Sequence, residues 1–253
     1  MEVAVLGLGE AGGRIAADLA AAGCAVRGWD PVARPAGIDT APDASSAVRG
    51  AEIVLSINAA AVALEVAGGV AGSLADDAVY ADCNTSSPAL KRALATSVPA
   101  CFADVALVGT VPTLGLRTPA LVSGSGAERF AELFRPLGMP VDVVGSAAGD
   151  AAGLKLLRSV FMKGLAAAAI ESVEAARAAG AEEWIRADIA SVIGEPLLER
   201  LLTGSRAHAA RRVDEMRAAA DYLEELGVRP RVAAAAADWL AELRDDGRRQ
   251  PDA

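Results

Sequence analysis

The chain opens on a strand-length apolar run broken by a spaced glycine triplet, Val3-Ala-Val-Leu-Gly7-Leu-Gly9-Glu10-Ala11-Gly12. No other feature constrains the fold so tightly. The run stops at Gly7, and apolar positions at Ile15, Ala16, Leu19 and Ala20 then recur with helical period from about Glu10. Strand, turn and helix in this order leave each glycine a separate duty. Gly7 permits the sharp turn, Gly9 lets backbone N–H groups approach an anion, and Gly12 lets helix and strand pack closely. The helix N-terminus adds its partial positive charge facing that anion. A second apolar run, Ala25–Trp29, ends at Asp30, roughly 20 residues beyond the turn, where a carboxylate can hold the hydroxyls of a ribose. Together these features predict a dinucleotide site, with a pyrophosphate over the turn and an adenosine ribose at Asp30.

Candidate strands at 2–6, 25–29, 53–57, 78–82, 101–107, 119–123 and 141–144 alternate with candidate helices at 10–22, 61–73, 88–96 and 126–134. That alternation predicts a mainly parallel, doubly wound sheet. Glycine and proline gather between elements, from Pro31 to Pro42 and from Gly109 to Pro119. Past Gly145-Ser-Ala-Ala-Gly149 the pattern turns helical. A long helix is expected over about 151–179, then helices at 181–192, 195–203, 206–226 and 230–244, with Gly227 and Pro230 punctuating the last two. The polar tail from Asp245 reads as frayed. The expected fold class is α/β: an N-terminal Rossmann-type doubly wound sheet followed by an all-α C-terminal domain. The boundaries read as 1–147 for the dinucleotide-binding domain and 148–253 for an all-helical substrate and dimerisation domain.

Composition narrows the partners. Apolar residues make up 53% of the chain and aromatics only 4%, so the core must rely on closely packed, alanine-rich helices. The net charge of −9, with no basic patch, argues against nucleic acid and anionic membranes as partners. The N-terminus lacks the basic start and cleavage pattern of a secretory leader. The apolar run Leu165–Ile170 is too short to span a bilayer. Cys24, Cys83 and Cys101 are odd in number and form no CxxC pair, which points to a cytoplasmic location without a disulfide framework. His208 stands alone, so no metal site is expected.

Three segments carry candidate chemistry. In Asp82-Cys-Asn84-Thr85-Ser-Ser-Pro88, Asn84 and Thr85 follow a strand and should overhang the nicotinamide end of a bound dinucleotide. Ser86 or Ser87 caps the next helix, with Pro88 at its first position. In the loop from Gly109 to Thr118, Arg117 suits bidentate binding of a carboxylate or phosphate, or is a solvated loop arginine. The third segment runs from Gly149 to Lys163. Only three of the 24 basic residues are lysines, at 91, 155 and 163. A lysine can lose its proton when partly desolvated and an arginine cannot, so Lys155 is a candidate general acid. A solvated helix face is the alternative for Lys155. Lys91 lies on a helix of the nucleotide domain, and Lys163 reads as solvated.

These segments, in this order, resemble the β-hydroxyacid dehydrogenase superfamily, which also holds 6-phosphogluconate dehydrogenase and the imine reductases. The glycine turn matches, the D-x-S-T-x-x-P segment appears as Asp82 to Pro88, and D-A-P-V-S-G-G appears as Asp104 to Thr110. Lys155 stands at the family's catalytic lysine. The turn Glu10-Ala11 and the run Arg158 to Leu165 resemble a less characterised branch with a distinct C-terminal helical domain. The resemblance implies an NAD(P)-dependent oxidoreductase. It would transfer hydride between nicotinamide and a small, anionic hydroxy- or keto-acid-like substrate, with Lys155 as general acid and base. The implied cofactor is NAD, with NADP as the alternative. The implied cofactor contacts are Gly7, Gly9, Glu10, Ala11 and Gly12 at the turn, Asp30 at the ribose, and Asn58 and Asn84. The implied substrate contacts are Thr85, Gly109, Thr110, Arg117, Arg158 and Ser159. Where the family has serine this chain has Asn84 and Val108, and where it has asparagine after the lysine this chain has Arg158 or Ser159. The substrate pocket is therefore expected to depart from the usual short β-hydroxyacid pocket. Imine reduction is a second reading, set against by Lys155, since imine reductases commonly carry Asp or Tyr there. A non-catalytic nucleotide-sensing protein is a third, and would bind cofactor without turnover. A homodimer through the C-terminal helices is also expected, because a helix of roughly 28 residues spans about 40 Å and carries small faces at Ala166 to Ala169, Ala175 and Ala176.

Overall fold

The structure, a computed structural model, describes residues 1–207 and 209–249; His208 lies outside the described residues. The first elements are β1 (Glu2–Leu6), α1 (Glu10–Ala21), β2 (Ala25–Trp29), β3 (Asp39–Thr40), α2 (Ala44–Val48), β4 (Ile53–Ser56) and α3 (Ala63–Val70). They continue as β5 (Val79–Asp82), α4 (Pro88–Ser97), β6 (Cys101–Leu107), α5 (Val111–Leu114), β7 (Ala120–Ser123), α6 (Ala127–Phe134) and β8 (Val141–Gly145). The strands form one sheet in the order β3-β2-β1-β4-β5-β6-β7-β8. All pairings are parallel except β6 with β7. The fold is thus a Rossmann-type sheet followed by helices.

Alternating residues of each strand feed two apolar layers, as a sheet covered on both faces requires. Val3, Val5, Ile53, Leu55, Val79 and Val105 pack with Ile15 and Leu19 of α1 and Phe130 and Phe134 of α6. Ala4, Leu6, Val54, Tyr80 and Phe102 pack with Val48, Val70 and Leu94 on the other side. Two elements fall inside stretches that the sequence reads as connections. β3 is a two-residue strand in the Pro31–Pro42 stretch, parallel to β2 through Arg27 and Asp39. α2 is one short helix, capped where Asp43 accepts from the Ser46 N–H at 2.7 Å. Neither is long enough to show a period.

The remaining helices are α7 (Asp150–Ala178), α8 (Glu182–Ile193), α9 (Glu195–Ala207), α10 (Ala209–Glu225) and α11 (Arg231–Arg249). The chain divides into two compact units, Met1–Lys155 and Leu156–Ala253. The divide falls inside α7 rather than at 147/148, because the first turn of α7 is hydrogen-bonded to sheet residues Asp104 and Ser123. In the second unit Val213, Met216 and Ala219 of α10 pack against Ala233, Ala236, Ala237 and Leu240 of α11. Gly227, at φ +73°, closes α10: its N–H reaches the Glu224 carbonyl and the Val228 N–H reaches that of Leu223. α9 runs through Gly204 instead of stopping near 203, with Arg212 lying against that glycine. Among the described residues no helix is long and apolar enough to cross a membrane.

Candidate active site

The site grows from the carboxyl ends of β1, β4 and β5. Gly7 adopts φ +100°, and a Cβ there would collide with the Ile57 carbonyl. A Cβ on Gly12 would collide with the Gly7 carbonyl oxygen, so α1 can start this close to the turn only with glycine there. Gly9 differs: it is the N-cap of α1, offers no side-chain cap, and a Cβ on it would meet nothing within 4 Å. Glu10 and Ala11 begin the helix beside this open space. Asp30 anchors the other side of the turn. One carboxylate oxygen accepts from the Leu8 N–H at 2.8 Å, and the other accepts from Val32 and Ala33, each at 2.8 Å. Burial acts to raise its pKa, but these three bonds and the nearby Arg34 outweigh it and hold the carboxyl below the usual carboxylate range. Arg34 itself donates to the backbone carbonyls of Asp30 and Ala33.

Asn58 and Asn84 meet next to the turn. The Asn58 backbone N–H donates to Asn84 Oδ1 at 2.7 Å, and Asn84 Nδ2 donates to Asn58 Oδ1 at 3.0 Å. Ser56 Oγ accepts from Asn58 Nδ2 at 3.0 Å, and Asp82 Oδ1 accepts from Asn84 Nδ2 at 2.5 Å. One residue on, Thr85 Oγ1 accepts from Lys155 Nζ at 2.9 Å. Ser87 is the serine that caps α4, accepting from the Leu90 N–H, with Pro88 at the helix start. Gly149, at φ +103°, lets α7 begin against Pro88, the nearest atoms to a Cβ there lying 3.0 to 3.2 Å away. Cys83 is buried, and burial pushes its thiol up to about 12, so it does not supply a thiolate.

Other expected residues sit elsewhere. Gly109 and Thr110 are exposed after β6, and Arg117 is exposed on a short turn that docks on α1. There the Leu116 N–H donates to Asp18 at 3.0 Å and Arg14 donates to the Pro112 carbonyl at 2.9 Å. In the second unit Arg158 is exposed. Ser159 is buried and donates to Glu215, which also pairs with Lys163 at 2.9 Å. Lys163 is therefore not a solvated lysine but part of a cluster joining α7 to α10. Among the described residues no group of three or more His, Cys, Asp or Glu side chains could hold a metal.

The sequence reading passed over Lys91. It is fully buried, donating to Asp82 Oδ2 at 2.6 Å and to the Asp82 carbonyl at 2.7 Å, with Asp104 Oδ1 at 3.1 Å. A signal existed. Asp82 ends one strand and Asp104 lies inside the next, both in otherwise apolar runs, and a buried carboxylate pair needs a cation.

Residues 2–115 match the NAD binding domain of 6-phosphogluconate dehydrogenase, and residues 176–243 match a domain of unknown function (DUF1932). An uncharacterized 28.5 kDa protein of Methanothermus fervidus is 27% identical over 189 residues, 73% of each chain. A conserved protein of unknown function, described as structurally similar to 3-hydroxyacid dehydrogenases, is 28% identical with a TM-score of 0.76, over 98% of this chain and 99% of its own. Mycobacterium tuberculosis 3-hydroxyisobutyrate dehydrogenase shares the fold at 20% identity and a TM-score of 0.81, over 97% of this chain and 94% of its own. The glycine turn thus lies inside the NAD-binding match, and the sheet-then-helices architecture is similar to that of the β-hydroxyacid dehydrogenase-like superfamily.

Proposed function

We propose that the protein is an NAD(P)-dependent oxidoreductase acting on a small hydroxy- or keto-acid-like substrate, with Lys155 exchanging the proton on the reacting oxygen. The observation that carries this is the bond from Lys155 to Thr85 at 2.9 Å, one residue from the Asn58–Asn84 pair. The residues fit a dinucleotide. Open space at Gly9, an N-terminus of α1 without a side-chain cap, and an ionised Asp30 at the end of β2 are what a pyrophosphate and a ribose need.

A bound nicotinamide dinucleotide would supply or accept the hydride. The chain's own residues do the rest. Gly7 and Gly12 shape the turn, Glu10 and Ala11 place backbone N–H groups at the helix start, and Asp30 accepts from ribose hydroxyls. Asn58 and Asn84 orient each other at the cofactor end. Lys155, held by Thr85, gives a proton to the substrate oxygen in reduction and takes it back in oxidation. Gly109, Thr110, Arg117 and Arg158 are the proposed contacts for an anionic substrate. Ser159 joins that set only by giving up its bond to Glu215. Asp30 favours NAD over NADP, since an ionised carboxylate repels a 2′-phosphate. A homodimer through the C-terminal helices belongs to the same proposal.

Steady-state assays of hydroxy acids, keto acids and cyclic imines with each cofactor test the reading. Turnover of a hydroxy or keto acid, lowered about 10²–10⁴-fold in Lys155→Ala, is expected. Cofactor binding with no turnover of any substrate would favour a nucleotide sensor, and turnover confined to imines would favour imine reduction.

A further inference from the structure

One row of the sheet is polar from strand to strand. In register across β4, β5, β6 and β7 lie Ser56, Asp82, Asp104 and Ser123, each 0% exposed. In-register neighbours face the same side of a sheet, so two carboxylates lie side by side in the protein interior. Like charges so placed are costly unless a cation stands between them. Lys91, from α4, is that cation. Burial acts against its charge, but the two carboxylates outweigh burial and hold its pKa above the ordinary lysine value. Burial also holds Asp82 above the usual carboxylate range, with the Asp104 charge adding to it, although Lys91 opposes both.

The two carboxylates lead to different halves of the site. Asp82 Oδ1 accepts from Asn84 Nδ2, and the other end of that amide accepts the Asn58 N–H. Asp104 Oδ2 leads to α7, accepting from the N–H groups of Gly149 at 3.2 Å and Ala152 at 2.9 Å. Ser123 Oγ donates to the same oxygen at 3.3 Å and accepts from the Ala151 N–H at 3.0 Å. Asp104 thus caps the helix whose second turn carries Lys155.

We propose that Lys91 is a positioning residue of the oxidoreductase site, one ammonium that orients the Asn58–Asn84 pair through Asp82 and sets the start of the Lys155 helix through Asp104. Its role for turnover rests on the function proposed above; its structural coupling does not. Arginine does not replace it, because a planar fork cannot put a compact charge between two stacked carboxylates and a backbone carbonyl.

The test uses the full chain, with amide hydrogen exchange, cofactor binding and steady-state kinetics on Asp82→Ala, Asp104→Ala and Lys91→Met. Each aspartate variant leaves Lys91 one carboxylate, a neutral pair, so these two carry the test if Lys91→Met does not fold. Asp82→Ala is expected to speed exchange at Asn58 but not at Gly149, Ala151 and Ala152, and to raise the reduced-cofactor Kd by about tenfold, the equivalent of one hydrogen bond. Asp104→Ala is expected to do the converse: faster exchange at the α7 start, kcat lower by about 100-fold through misplacement of Lys155, and cofactor Kd unchanged. Folded Lys91→Met should show both effects. Exchange unchanged in both aspartate variants, or changed equally at both places in each, would overturn the proposal. Wild-type protein that binds no cofactor and turns over no substrate would sink the function instead, and the exchange pattern would still decide the role of Lys91.

Discussion

Each of the three lysines is bonded to a polar partner: Lys91 to two aspartates, Lys155 to Thr85, and Lys163 to Glu215 and Ser159. A compact ammonium with three rotatable donors suits such places, and a chain that otherwise uses arginine keeps lysine for them. Lys155→Ala is expected to lower kcat by roughly 10²–10⁴-fold, the usual worth of a positioned general acid. The cofactor Kd should change little, and Lys155→Arg should rescue little because guanidinium does not exchange its proton. A deuteride isotope effect showing that chemistry limits the rate, together with retention of more than a tenth of wild-type kcat, would defeat the assignment. At Asp30 the expected outcome is tighter binding of NADH than NADPH, with the difference narrowed in Asp30→Ala. The same carboxyl gives a pH signature. Its folded pKa lies below that of the unfolded chain, so its stabilisation is complete above about pH 4 and is lost as pH falls through the folded value. Tm measured against pH should therefore separate wild type from Asp30→Asn at neutral pH and bring them together in acid.

At the scale of elements, the strand–turn–helix at the N-terminus separates packing from binding. Gly12 is closed in by the Gly7 carbonyl, whereas Gly9 faces open space with an extended backbone, at φ −64° and ψ −164°. Gly12→Ala should destabilise the fold by about 1–3 kcal/mol, as overpacking does. Gly9→Ala should stay within about 0.5 kcal/mol of wild type, as unburdened surface substitutions do, yet lose cofactor affinity because the methyl enters the space of the phosphates. Chemical denaturation paired with a cofactor titration checks both. Equal losses of stability in the two variants would mean that Gly9 is a packing residue instead. α7 is the other element with two duties, its first turn bonded to the sheet and its later turns packed in the helical unit.

For the whole molecule, the surface of α7 bears on assembly. Ala166 and Ala169 are 2% and 3% exposed within one chain, so they are not free to pack a partner. Leu154, Leu157 and Phe161 remain 44%, 38% and 68% exposed, spaced three and four residues apart along one helical face. The proposed dimer is therefore expected to use this apolar stripe. Light scattering at micromolar concentration should give twice the chain mass for wild type, and Phe161→Glu should shift it toward a monomer. A monomeric wild-type mass would contradict the proposal.

What the sequence determined by itself was whatever depends on neighbours along the chain. The glycine turn, the capping of α4 by serine ahead of Pro88, and the glycine closing α10 are short-range geometry, written in spacing. The strands were legible for the same reason, since a buried strand is a short apolar run with sharp ends. β3 and α2 were not, because elements of two and five residues carry no period. The polar row Ser56, Asp82, Asp104, Ser123 could not be seen either. Its members are 19 to 26 residues apart in sequence and become neighbours only when strand register aligns them. Lys91 looked like any helix lysine until α4 was laid over that row. Tertiary structure alone decided that Ser159 faces Glu215 and that Lys155 reaches Thr85. Burial and register are properties of the folded chain, and they turned three scattered lysines into three different electrostatic sites.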